Sequence, residues 1–183
     1  MSLRALCLVS CLVTALTVTP RRCAAQQPPT REALALELGG FEREPDVAAV
    51  RAWGAQGAAS LMALGNDPQA QPHVRQRALH ALRAFTAQPA VRDYLRRVAS
   101  LPQQELFTLR AALDALVEGF DDVAFVARFL GDARADVRDG AAWSLSRSAA
   151  PAAATALRER LAREPDEAVR RTLGDALQRR QAR

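Results

Sequence analysis

Neither lysine nor isoleucine occurs among the 183 residues, so all 25 basic side chains are arginine. A GC-rich coding bias accounts for this more simply than any demand for guanidinium chemistry. Cysteine is confined to Cys7, Cys11 and Cys23. Beyond residue 23 there is no thiol for nucleophilic catalysis, no disulfide and no sulfur ligand for a metal. Histidine is as scarce: His73 and His80 stand seven residues apart, about 10 Å along a helix, too far to share one ion. No Gly-x-Ser-x-Gly elbow, Walker-type loop or dinucleotide glycine fingerprint is present. No catalytic residue, metal site or cofactor is therefore expected. No stretch alternates apolar and polar residues as a strand would.

The three cysteines lie in a segment of their own. Met1 to Arg4 is a short cationic start, Ala5 to Val18 is an apolar run, and Cys23-Ala24-Ala25 offers small residues before a cut. The reading is a signal peptide over residues 1–25, with export to the periplasm or the extracellular space. The run is too short for a membrane span of about 20 residues, so no membrane insertion is expected after cleavage. An uncleaved anchor and lipidation at Cys11, where Leu8-Val9-Ser10-Cys11 resembles a lipobox, stay open as alternatives. Losing Arg4, Arg21 and Arg22 and no acid takes the net charge from +5 to +2. Without Arg179, Arg180 and Arg183 in the tail it falls to about −1, so no strong basic field remains to hold nucleic acid. The stripe Arg92, Arg96 and Arg97 reads as a solvated outer face, with Asp93 and Glu105 close by.

What the chain does contain is helical periodicity and a repeat. After a polar linker at 26–30, Val91, Leu95 and Val98 mark one helical face, and Leu106, Leu109, Leu113 and Leu116 another. Gly39-Gly40, Asn66-Asp67-Pro68, Pro89, Gly119, Gly131-Asp132 and Pro151 punctuate the helices. The segments Ala78-Leu79-His80-Ala81-Leu82, Ala112-Leu113-Asp114-Ala115-Leu116, Ala141-Ala142-Trp143-Ser144-Leu145 and Leu173-Gly174-Asp175-Ala176-Leu177 share one pattern: small or Leu, any, polar or aromatic, small, Leu. Their last leucines are 34, 29 and 32 residues apart, the period of stacked helix pairs. One pair cannot bury its apolar face alone, so the units fold together, in an all-α solenoid. Residues 31–56 read as a degenerate capping pair, and 57–183 as about four repeats.

These residues resemble the HEAT family, in particular the short HEAT-like repeats of bilin lyases. The second helix of such a repeat typically opens Asp, then Val-Arg, and Val50-Arg51, Val74-Arg75, Val137-Arg138 and Val169-Arg170 match it. Leu109-Arg110 stands in their place in the second full unit. A turn acid precedes Arg by six residues twice, as Asp132 before Arg138 and Glu164 before Arg170. The resemblance implies that acid and arginine knit neighbouring repeats. Pro89 and Pro151 stand where first helices begin. Iron-dependent hydroxylases of the family carry repeated His-Glu pairs, and no His-Glu dipeptide occurs here.

Asp132, Asp136 and Asp139 form a tempting carboxylate cluster, but their places suit helix caps and dipole partners, as do those of Asp121-Asp122. What remains is a surface. The resemblance puts the second helices on the concave side, with the middle position of the shared pattern, His80, Asp114, Trp143 and Asp175, facing the groove and Arg77, Arg110 and Arg171 flanking it. Trp143 is the aromatic among polar residues. The expectation is an exported, monomeric, non-enzymatic scaffold that binds a protein partner there. The alternatives are an enzyme-accessory or lyase-like HEAT protein, or a structural envelope component; bilin lyases work on pigment-protein complexes in the cytoplasm, which the leader argues against.

Overall fold

Several helices begin where the sequence supplies a group suited to their free N–H end. The computed structural model describes residues 29–40 and 46–181; the expected signal peptide lies outside the described residues. In α1 (Arg31–Gly39) the Thr30 hydroxyl accepts from Ala33 N, and in α2 (Val47–Ala52) Asp46 accepts from Ala48 N. Pro72, Pro89 and Pro151 open α4 (Pro72–Ala81), α5 (Pro89–Ala99) and α9 (Pro151–Leu161), where a missing N–H costs nothing. Glu105 caps α6 (Leu106–Phe120) by accepting from the N–H groups of Phe107 and Thr108 at 2.9 and 2.8 Å. α3 (Gly54–Gly65), α7 (Val123–Ala127), α8 (Ala135–Leu145) and α10 (Glu167–Gln181) complete the order, with 3-10 turns at Leu82–Ala84 and Arg128–Gly131. Among the described residues there is no strand.

The helices pair as α3/α4, α5/α6, α7/α8 and α9/α10, and the second members stack in one layer, α4 on α6, α6 on α8 and α8 on α10. The fold is an α-solenoid of HEAT-like repeats. In the shared pattern, Ala78, Ala112, Ala141 and Leu173 are buried, as are Ala81, Ala115, Ser144 and Ala176 three residues on. Three residues is close to one helical turn, so these positions fall on the face that meets the neighbouring helices. The middle position falls on the opposite side.

α1 and α2 close the first end, α1 against α3 and α4, α2 against α3 and the turn at Leu82–Ala84. Leu34 and Leu38 of α1 are fully buried. α3 begins at Gly54, whose φ of 63° makes the break from α2, so Gly57 lies inside α3.

Gly119 does not interrupt a helix. It lies in the last turn of α6, where a Cβ would stand 2.7 Å from the Cα and the carbonyl oxygen of Arg83. Its missing side chain lets the turn after α4 approach α6. The stop comes two residues later, at Asp121 in the left-handed region with φ 47°.

Of the two turn acids, Glu164 does knit neighbouring repeats, through the arginine of the preceding repeat. Arg138 donates to the Asp132 and Ala133 carbonyls of its own turn at 3.1 and 3.0 Å. Its remaining N–H groups form a bidentate pair with Glu164, the acid of the next repeat's turn, at 2.9 and 2.7 Å. The Asp132 carboxylate instead accepts from Arg134 N. Arg170 has no repeat after it among the described residues and is exposed.

Two other acids also depart from a capping role. Asp122 is buried and holds Arg96 bidentately at 2.6 and 2.8 Å, joining α5 to the start of α7. Arg96 also lies over Phe125, 5.5 Å from the ring centre. It is therefore a structural residue and not part of a free outer stripe. Asp121 accepts from Ser148 Oγ at 2.6 Å.

Candidate functional site

The outward middle positions of α4, α6 and α8 line a groove of about 430 Å³. Its walls are Gln76, Arg77 and His80 from α4, Phe107, Arg110, Ala111 and Asp114 from α6, Trp143 from α8 and Arg147 just beyond it. Five of the seven residues singled out from sequence converge here: His80, Asp114, Trp143, Arg77 and Arg110. Asp175 and Arg171 do not line this groove; both are exposed on α10. Four residues that line it were not singled out: Gln76, Phe107, Ala111 and Arg147. Helical spacing holds the signal for all four, since Gln76 is four before His80, Phe107 seven and Ala111 three before Asp114, and Arg147 four after Trp143.

Phe107 is 60% exposed and Trp143 37%. Two guanidinium groups lie near the Trp143 ring: Arg147 at 5.6 Å from its centre and Arg179 of α10 at 4.1 Å. Both are within reach of a cation-π attraction. Trp143 therefore lines the groove with guanidinium groups over its ring.

Beneath the aromatic residues is a polar network. Asp114 accepts from Ser144 Oγ at 2.7 Å and faces Arg147 at 3.6 Å. Burial raises the Asp114 pKa above the ordinary aspartate value, and its bond from Ser144 and the Arg147 charge only partly offset this. Glu118, four residues on, meets Arg147, and lies 3.4 Å from both His80 Nε2 and Arg83 Nε. Burial opposes its charge, but the contacts with His80 and Arg147 outweigh that and hold its pKa down at about 2. Arg83 Nη1 stands 2.8 Å from His80 Nδ1. A guanidinium only donates, so Nδ1 accepts and the ring proton sits on Nε2, toward Glu118.

Arg110 takes a different course. It lies across Gly140 of α8, where a Cβ would come within 2.9 Å of its Cγ and Nε. Its Nη2 donates to Asp139 at 2.9 Å, and Asp139 also accepts from Thr172 Oγ1 at 2.5 Å. Asp139 thus bridges α6 and α10 and is not a helix cap. Among the described residues no group of three or more His, Cys, Asp or Glu is placed to hold a metal ion. Nor is any helix among them long and apolar enough to cross a membrane.

A larger cavity of about 670 Å³ lies between α1 and the start of α4, walled by Ala35, Leu36, Leu64, Ala70 and Val74 and straddled by the Arg31–Asp67 ion pair. It collects none of the groove's polar network.

No family model matches the sequence, and no curated protein matches it. The fold does have a solved counterpart. The structure of the complex of CpcE and CpcF of phycocyanin lyase from Nostoc sp. PCC7120 superposes on 80% of this chain and 96% of the matched chain. The TM-score is 0.52 at 19% sequence identity. That likeness corrects the expectation of a non-enzymatic chain. The same solenoid builds a lyase, so the missing motifs for nucleophile, metal and cofactor do not exclude enzymatic work by this architecture.

Proposed function

We propose that this chain is a lyase-like HEAT-repeat protein that holds a protein partner in the groove walled by α4, α6 and α8. The observation that carries the reading is the convergence of two exposed aromatic residues, Phe107 and Trp143, with Arg77, Arg110 and Arg147 around one concavity. Exposed aromatics and arginines are the side chains that anchor protein interfaces most often. The solved counterpart, itself a complex of two chains of a lyase, supports an assembly in which this chain presents its groove to another protein.

Trp143→Ala should weaken partner binding by about 2 kcal/mol or more, the scale of an interface anchor, with the melting temperature nearly unchanged. Arg158→Ala, an exposed position on the outer helix α9, should leave binding as it was. Isothermal titration calorimetry with the captured partner reads the first effect, and thermal unfolding the second. Loss of binding on Arg158→Ala with none on Trp143→Ala would place the contact on the other face. Arg96→Ala is unsuited as the neutral control, because it breaks the bidentate pair with the buried Asp122.

The reading includes export. The apolar run Ala5 to Val18 followed by Cys23-Ala24-Ala25 supports a cleaved leader. The intact mass of the chain recovered from its native source should then start at or near Gln26, with no reactive thiol. A species that keeps Cys23, or one lipidated at Cys11, would overturn this part alone.

A further inference from the structure

The balance of donors and acceptors in the groove bears on the chemistry of its occupant. Three guanidinium groups line it, from Arg77, Arg110 and Arg147, against a single carboxylate, Asp114. That carboxylate is turned inward: Ser144, fully buried, donates to one of its oxygens, and Arg147 faces the other. Glu118 beside it is likewise engaged by His80, Arg83 and Arg147. The groove's acids are thus committed to holding its own cations in place.

Arg110 is placed otherwise. Its one ion pair uses Nη2 alone, through one oxygen of Asp139. A guanidinium has five donors and no acceptor, and its strongest partner is a carboxylate met by two of them side by side. Gly140 lets this side chain lie across α8, in the same groove as the exposed rings of Phe107 and Trp143. A second acid coming from outside would find donors and an aromatic surface in the same concavity. A basic segment would meet the Arg110 guanidinium and only half-buried carboxylates that are already occupied.

We infer that the occupant of the groove is an acidic peptide segment of the partner protein, carrying a large apolar or aromatic side chain next to its carboxylates. This rests on the reading of the groove as a protein-binding site. The acids that the sequence pattern puts on the groove side do not face such an occupant: Asp114 is turned inward, and Asp175 lies outside the groove.

The test uses the full chain and three fluorescein-labelled synthetic peptides of equal length. One carries glutamates around a central Phe, the second lysines in place of the glutamates, and the third serine in place of the Phe. Fluorescence anisotropy should show the first binding at least about tenfold more tightly than either of the others, and weakening several-fold when salt is raised from about 0.05 M to 0.3 M. Arg110→Ala and Gly140→Ala should each reduce that affinity about tenfold. The second acts because the new Cβ moves Arg110 out of its seat, while Ala suits a helix interior better than Gly. Circular dichroism should show both variants folded, and Arg158→Ala should bind as the parent does.

Equal or tighter binding of the lysine peptide overturns the inference, and so does no detectable binding of the acidic one. A photo-crosslinking residue at position 107 separates the two levels. If the lysine peptide crosslinks there, the groove is a binding site with a basic occupant and only the charge assignment falls. If no peptide crosslinks there while the native partner crosslinks from position 158, the groove reading falls with it.

Discussion

Replacing Glu164 by glutamine should lower the free energy of unfolding by about 3 kcal/mol, the scale for leaving one member of a buried ion pair without its partner. Glu164 lies in the turn before α10 with its side chain fully buried, and Arg138 of α8 is nearly so. Arg160 adds a third member, with Nε and Nη2 each 2.6 Å from the carboxylate. Glutamine keeps the shape but not the charge. Arg138 would then stay buried with neither water nor an anion. Urea unfolding measures the loss. The triple variant Arg138→Met, Arg160→Met and Glu164→Leu should recover most of it, because apolar residues of similar volume carry no desolvation cost. A loss below about 1 kcal/mol in the single variant would mean that water reaches the pair.

The same pair sets the acid limit of the fold. The bond from Arg138 holds the Glu164 pKa down at about 2 against the ordinary glutamate value of 4.5; burial opposes this and Arg160 adds to it. Since the folded pKa lies below the unfolded one, the unfolded chain takes up the proton first. The contribution of Glu164 is therefore fully present above about pH 4.5 and disappears as pH falls toward 2. Glu118 is held down at about 2 in the same way and acts in the same window. Stability should fall steeply between about pH 4.5 and 2, and Glu164→Gln should flatten that fall.

Leu145→Ala should cost about 3 kcal/mol, within the range of about 2 to 5 for emptying a buried leucine site. Leu145 closes α8 and is fully buried where α8 meets α6 on one side and α10 on the other. A cavity there weakens two repeat interfaces at once, and a stacked array has no other contacts to compensate. Leu177, at the corresponding position of the last repeat, is only partly buried. Leu177→Ala should cost distinctly less. Denaturant titrations of the two variants decide the matter, and equal losses would contradict a stack held by nearest neighbours.

Much of this was legible in the sequence because it depends on neighbours within one helix. The spacing of the last leucines, with small residues one and four positions before them, marks a face, and a face needs only the helical period. Proline at Pro89 and Pro151 marks helix starts for an equally local reason. The middle position of the pattern placed His80, Asp114 and Trp143 on one surface by the same geometry, and Arg77 and Arg110 followed as their helical neighbours. At Asp175 the pattern holds, but the groove walled by α4, α6 and α8 does not extend to it.

The sequence by itself determined the repeat, its period, the all-helical class and the side of each second helix that faces outward. It did not determine which charges pair. Arg138 meets the acid of the following turn, Arg96 meets Asp122 and Arg110 meets Asp139, at sequence separations of 26, 26 and 29 residues. Those pairings depend on the distance between stacked helices and on a long side chain's reach across it, neither of which any local pattern records. Gly119 shows the same limit, since only the passage of the Arg83 backbone explains why a glycine stands inside a helix. The groove's charge, too, was decided by tertiary structure. The stacking of α4, α6 and α8 drew Asp114 and Glu118 into contact with Ser144, His80 and Arg147, and left Arg110 lying across Gly140 in the same groove as two exposed rings.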